Sequence, residues 1–168
     1  MRTTWSFLVA AAAAAVTLAT TPSANAIEGE AVRCVDFLAF PDNAPLPEKF
    51  RLSKFKFQDR SGGWAPFVNV FSDLIGQPVH GMQFDPRGLR ISPPGASLSV
   101  ELRAGAFAGF GVQVEALDAG GGLQDAIFLP NDSIMHTVTL VAATAPITLV
   151  QLKGGDNEGV VNGACATR

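Results

Sequence analysis

"SLSVELR", residues 97–103, alternates apolar and polar side chains, and that alternation decides the fold class. Leu98, Val100 and Leu102 share one parity and Ser99, Glu101 and Arg103 the other, which predicts a strand with one core face and one solvated face. Beyond it, helical periodicity is hard to find downstream of residue 26, while short apolar runs recur between Gly, Pro, Asn and Asp clusters. "VRCVDFLAF" (32–40), "FRLSKFKF" (50–57), "FVNVF" (67–71), "GLRIS" (88–92), "GVQVEAL" (111–117), "LQDAIFL" (123–129), "HTVTLVA" (136–142), "ITLVQL" (147–152) and "GVVNGAC" (159–165) join it. The resulting set of about ten strands predicts an all-β fold of two packed sheets, a β-sandwich.

Breakers set the boundaries. Proline removes a ladder donor, so "SPPG" (92–95) and the Pro-rich "PDNAPLPEK" (41–49) cannot lie in central strands. The second of these is expected to cross from one sheet to the other. "DAGGG" (118–122) reads as a flexible reversal. In "FRLSKFKF" the apolar phase shifts between Leu52 and Phe55, which predicts a bulge at Ser53 and Lys54, with two strands and a corner as the alternative. "GGDN" (154–157) has the chemistry of a tight hairpin turn, since Gly accepts positive φ and Asp or Asn bonds its own backbone.

The first 26 residues read as an export signal: Arg2 is the charged end, "FLVAAAAAAVTLAT" a short apolar core, and "ANA" (24–26) the small-residue cleavage site. One domain, residues 27–168, is expected to remain, secreted or periplasmic. It contains no apolar run near the ~20 residues that span a bilayer. No Cys follows the cleavage site to carry a lipid. The formal charge of −3, with no basic run, excludes a phosphate-tracking nucleic-acid binder. Cys34 and Cys165 are the only cysteines, and in an oxidising compartment they are expected to form a disulfide. A metal or catalytic thiol pair is the alternative, and it lacks a second short-spaced Cys or His.

The common catalytic signatures are absent: there is no Gly-x-Ser-x-Gly, no His-Glu-x-x-His, and no Gly-rich phosphate loop. His80 and His136 read as strand-edge residues bonded to backbone or water. Acidic residues number 15, so a pair able to hydrolyse a glycosidic bond needs a cleft to single it out. Trp64 in "SGGWAPF" and Phe107 and Phe110 in "GAFAGFG" are the candidate ligand contacts, with burial in the core as the alternative for each. Asn131-Asp132-Ser133 matches a glycosylation triplet.

From about residue 84 onward, "GLRI", "SPPG", "SLSVELR", "VQVEALDAGGG" and "ITLVQLKGGDNEGVV" before a terminal Cys resemble the galactose-binding-domain-like jelly rolls of exported bacterial proteins. The resemblance implies a double-sheet jelly roll with its first and last strands side by side, in agreement with a Cys34–Cys165 bridge. It also implies carbohydrate binding through loops at one end. A structural Ca²⁺ near the chain ends is implied as well, and Asp36, Asp156 and Glu158, with Glu28, would supply its oxygens. Against sugar binding stand the absence of Tyr and the single Trp left after cleavage. The expected function is a secreted non-catalytic binding or surface module, for carbohydrate or another extracellular ligand. A secreted hydrolase acting through acidic residues at one end of the sandwich, or a purely structural envelope or matrix protein, is the alternative.

Overall fold

The computed structural model describes residues 31–60, 62 and 65–168. The signal segment, Glu28 and Trp64 lie outside the described residues. Within them the chain forms twelve strands and no helix: β1 (Arg33–Asp36), β2 (Lys49–Leu52), β3 (Phe55–Asp59), β4 (Phe67–Ser72), β5 (Pro78–Phe84), β6 (Leu89–Ser92), β7 (Ser99–Ala106), β8 (Val112–Leu117), β9 (Leu123–Leu129), β10 (His136–Val141), β11 (Leu149–Gly154) and β12 (Gly159–Thr167). They make two antiparallel sheets. The first runs β10-β7-β12-β5-β4, with β1 also on β12, and the second runs β2-β3-β6-β11-β8-β9. From β6 to β8, and again from β9 to β12, the chain passes back and forth between the sheets, as in jelly-roll windings.

Inward side chains of the first sheet (Val68, Met82, Phe84, Val100, Leu102, Ala104, Leu140) meet those of the second (Phe55, Phe57, Leu89, Ile91, Val114, Val150, Leu152), all of them buried. Removing each of the larger ones from water contributes about 1.5–3 kcal/mol. Phe50 and Phe57 face each other across β2–β3 and stack at 4.9 Å, while Phe37 meets Phe57 edge-on at 5.5 Å. The segment after β1 does cross from one sheet to the other, as its prolines require.

Several expectations are corrected. Ser53 and Lys54 form no bulge: both have positive φ (47° and 71°), and Leu52 pairs directly with Phe55. A two-residue reversal therefore makes β2–β3 a hairpin, and the phase shift in the sequence is the turn itself. Leu98 is 52% exposed although Val100 and Leu102 are buried. Ser97 bonds Ile147 at the crossing between sheets, so the pleat of the first sheet begins only at Ser99. "GGDN" is a tight turn, with Asp156 and Asn157 at positive φ and Glu158 N–H donating to Gly155 O (2.7 Å), but it joins strands of different sheets. β5 is a strand that the pattern hid behind Pro78, His80 and Gly81.

Cys34 and Cys165 lie directly opposite in the β1–β12 register and form the expected disulfide. The bridge closes a separation of 131 residues, which on the chain-entropy model stabilises by up to about 5 kcal/mol. Replacing both cysteines with Ala is expected to lower the thermal midpoint steeply and to expose the amides of β1 first, read by hydrogen exchange. Replacing Ser53-Lys54 by Asn-Gly, the pair that best tolerates two positive φ values, is expected to raise the unfolding midpoint in denaturant titration.

Candidate functional site

The register of β12 creates the site. β5 pairs with β12 only from Gly159 to Val161, because β1 occupies the same edge from Gly163 onward. The rest of the β4–β5 hairpin curls over the outer face of the first sheet. Leu74 N–H donates to Ser133 O (2.9 Å), Met135 N–H to Asp73 Oδ2 (3.3 Å) and the Arg103 guanidinium to Pro78 O (3.5 Å). Asp73, itself buried, also accepts from the N–H groups of Ile75 (3.1 Å) and Gln77 (2.7 Å) and so shapes the turn.

Beneath the hairpin, Val79, Met135 and Val160 form a small cluster separate from the main core, with Phe71 and Phe107 packed on it. Phe71 and Phe107 meet edge-on at 4.7 Å. Phe107 lies close to the sheet because residue 105 is Gly, where a Cβ would sit 3.1 Å from the Phe107 ring and 2.9 Å from Met135 Sδ. The curled hairpin leaves a groove of about 600 Å³, lined by Asn43, Phe67, Asn69, Phe71, Gln83, Phe107, Ser133, Glu158 and Val160.

Its polar groups are held in place. Asn69 Nδ2 donates to Gln83 Oε1 (2.8 Å), and Gln83 Nε2 donates to the carbonyl of Asn157 in the β11–β12 turn. The three phenyl rings of the groove are half-buried, so each keeps an apolar edge or face toward solvent. Half-buried rings beside fixed amides are the usual furniture of sites for small polar ligands with an apolar side.

The residues singled out in the sequence separate clearly. Phe107 and Glu158 converge in the groove. Asp156 packs its carboxylate against Gly109, whose added Cβ would lie 2.6 Å away, so the "GGDN" turn and the "GAFAGFG" loop sit side by side. Phe110, in that loop, is 95% exposed. Asp36 is elsewhere: it faces Gly163, five residues along β12 from Glu158, or roughly 16 Å at strand spacing. One cation cannot take oxygens from both. Among the described residues no three His, Cys, Asp or Glu side chains gather as a metal's donor set. His80 Nε2 bonds the carbonyl of Phe40, in keeping with a strand histidine satisfied by backbone. Phe67, Asn69, Phe71 and Gln83 were not singled out. For the first three the one sequence signal is "FVNVF" (67–71), which is apolar on both faces yet carries an Asn on the aromatic one, and Gln83 in "PVHGMQF" carries none.

No family model matches the sequence, and no curated protein matches it. Among solved structures, the chain is similar to the C-terminal CBM6 of LamC, a marine laminarinase from Zobellia galactanivorans, at 14% identity and a TM-score of 0.42, over 82% of this chain and 100% of that one. It is also similar to CsCBM6-3 from Clostridium stercorarium in complex with cellobiose (13% identity, TM-score 0.38, 80% of this chain and 91% of that one). A third is a β-1,3-glucan binding CBM6 from Bacillus halodurans (11% identity, TM-score 0.37, 80% and 94%). At such identities and TM-scores the function of this chain has to be read from its own side chains.

The β9–β10 loop, which supplies Ser133, is pinned by Asp132. Its carboxylate accepts from Ile134 N–H (3.1 Å) and pairs with His136 Nε2 (3.0 Å). Burial acts to raise the Asp132 pKa, but the His136 hydrogen bond, the Ile134 N–H and the charge of His136 outweigh it, and the carboxyl sits below its ordinary value. A lowered folded pKa means that the stabilisation is present above the unfolded pKa and disappears as pH falls through the folded one. Asp132→Asn is therefore expected to cost less than about 1 kcal/mol near neutral pH, as befits a partly exposed pair. The difference from the parent should close as pH drops below about 4, followed by thermal melts across pH.

Proposed function

We propose that the chain is an exported, non-catalytic module that binds a neutral polysaccharide along the Phe67–Phe71–Phe107 groove. The carrying observation is the groove's lining: half-buried phenyl rings next to the Asn69–Gln83 amide chain, in an open channel of about 600 Å³. A pyranose offers apolar C–H faces to rings and hydroxyl edges to amides, and the groove presents both partners in fixed positions. Phe67 and Phe71 join Phe107, one of the rings the sequence offered as a ligand contact, in the stacking role. Phe110, at the tip of the neighbouring loop, extends the contact beyond the groove, and Glu158 accepts hydroxyl hydrogen bonds at its end.

A hydrolase is the weaker reading. Glycoside hydrolysis uses two carboxyl groups about 5–10 Å apart across the scissile bond, and among the described residues Glu158 is the single carboxylate lining the groove. Export is supported by the signal-like start and by the disulfide, which persists in oxidising compartments. Calcium would act through Asp156 and Glu158 in the β11–β12 turn, without Asp36.

Calorimetric titration of the oxidised chain with soluble neutral β-glucans and mannans, with Ca²⁺ and with chelator, tests the reading. Binding to one of them is expected, weakened at least tenfold (about 1.4 kcal/mol) by Phe107→Ala and by Gln83→Ala at unchanged fold. A panel without binding, or binding indifferent to both substitutions, sinks it. Hydrolysis of the bound polymer would move the weight to Glu158 as a catalytic group.

A further inference from the structure

The outer face of the second sheet carries a different chemistry. On β2 and β3 the outward side chains are Lys49, Arg51, Lys56 and Gln58, and on β6 they are Arg90 and Ser92. Arg51 stands directly opposite Lys56, Lys56 opposite Ser92, and Gln58 between Lys49 and Arg90. With Lys54 in the hairpin turn, five of the chain's twelve basic residues share this one surface. The chain as a whole is acidic, with a formal charge of −3.

Among the described residues no ion pair involves Lys49, Arg51, Lys54, Lys56 or Arg90. On neighbouring β8 the carboxylate of Glu115 is already engaged by Lys153 (3.0 Å). Gln151 links Arg90 to Glu115 and fixes the guanidinium at the inner border of the patch. Like charges directly opposite on a sheet destabilise it. Folding alone would favour an acid at one of these positions, yet Arg51 and Lys56 face each other. A hollow of about 440 Å³ lies over these side chains, with Phe50, Phe57 and Leu149 also in its lining, and a second, lined by Arg51, Lys54, Lys56 and the Pro93–Gly95 turn, continues it past the hairpin.

We infer that this face binds an anionic polysaccharide, a polyuronate, across strands β2, β3, β6 and β11. Charge complementarity supplies the attraction, and the arginines match a carboxylate's two oxygens with paired N–H donors. Gln58 and Ser92, set between the cations, suit the hydroxyls that separate successive carboxylates on such a polymer. Four adjacent strands span roughly 14 Å, long enough for a few sugar residues but short for a row of duplex phosphates. No aromatic side chain points outward from β2, β3 or β6 to stack on a base or enter a bilayer. The surface is on the opposite side of the sandwich from the Phe107 groove, and this inference does not rest on the groove's reading.

The test is binding of the full oxidised chain to immobilised polygalacturonate, to the same polymer fully methyl-esterified, and to duplex DNA at matched ionic strength. The expected result is binding to the free polyuronate alone, weakening steeply with added salt. Arg51→Gln with Lys56→Gln should cost at least tenfold in affinity while the thermal midpoint holds or rises, since a like-charge opposition is removed. Lys49→Gln with Arg90→Gln repeats the test on the second row, and Phe107→Ala should leave polygalacturonate binding unchanged. Equal binding of the esterified polymer, equal or tighter binding of DNA, or full affinity in both double variants overturns the inference.

Discussion

The nine residues of β12 are the constraint on which the first sheet depends. β12 pairs with β7 along its length on one edge, and on the other edge with β5 for its first residues and β1 for its last. Between the two registers the ladder slips at Val161/Gly163, and Asn162, the extra residue, ties its side-chain amide to the carbonyl of His80 (2.9 Å). The slip also corrects the phase: Val161 and Ala164 differ in parity, yet both face the core. A strict two-residue alternation would have turned one half of the strand outward. Because β1 takes the second half of the edge, β5 has to leave the sheet, and the curled hairpin that results is what makes the groove. The disulfide holds β1 at that position, so the bridge far from the groove and the groove itself share one cause.

Much of the sandwich was legible because most of its strands obey simple alternation. Val100 and Leu102 face inward, and the Pro-rich and Gly-rich breaks fall between strands. The departures come from tertiary geometry. β5 contains Gly81, which is needed because a Cβ there would sit 2.6 Å from Val161 O. In a sequence, that glycine reads as a break. Leu98 follows the right parity but precedes the pleat, since its neighbour Ser97 is committed to Ile147. Ser53 and Lys54 lack the Asn-Gly signature of a two-residue hairpin, so their turn looked like an interruption within a single strand.

The site was legible residue by residue but not as a site. Phe107 and Glu158 both stood out for local reasons, an aromatic in a small-residue loop and an acid after a tight turn. Their convergence depends on the packing of the "GAFAGFG" loop against the β11–β12 turn, which brings Asp156 onto Gly109. No spacing encodes that contact. The inclusion of Asp36 in a cation site followed from pairing the chain ends, and the ends do pair. What the pairing could not supply was the register, which sets Asp36 at Gly163 instead of at Glu158.

The two outer faces of the sandwich differ because they answer to different neighbours. On the first sheet the hairpin and the β9–β10 loop return over the surface, so close approach demands glycine at 81 against the Val161 backbone and at 105 against Ile134, Met135 and Phe107, with apolar contacts between Val79, Met135 and Val160. Asn69 and Gln83 on that face are bonded to each other and to the Asn157 carbonyl. Among the described residues nothing folds over the second sheet at β2, β3 and β6, and the outward side chains there stay exposed or half-buried. Packing therefore explains the first face in large part, leaving as its surplus the half-buried rings that line an open channel. It explains little of the second, where any soluble polar residues would serve the fold and alternating signs would serve it better. The concentration of one sign on that face, in an acidic chain, is the feature that stability alone leaves unaccounted for.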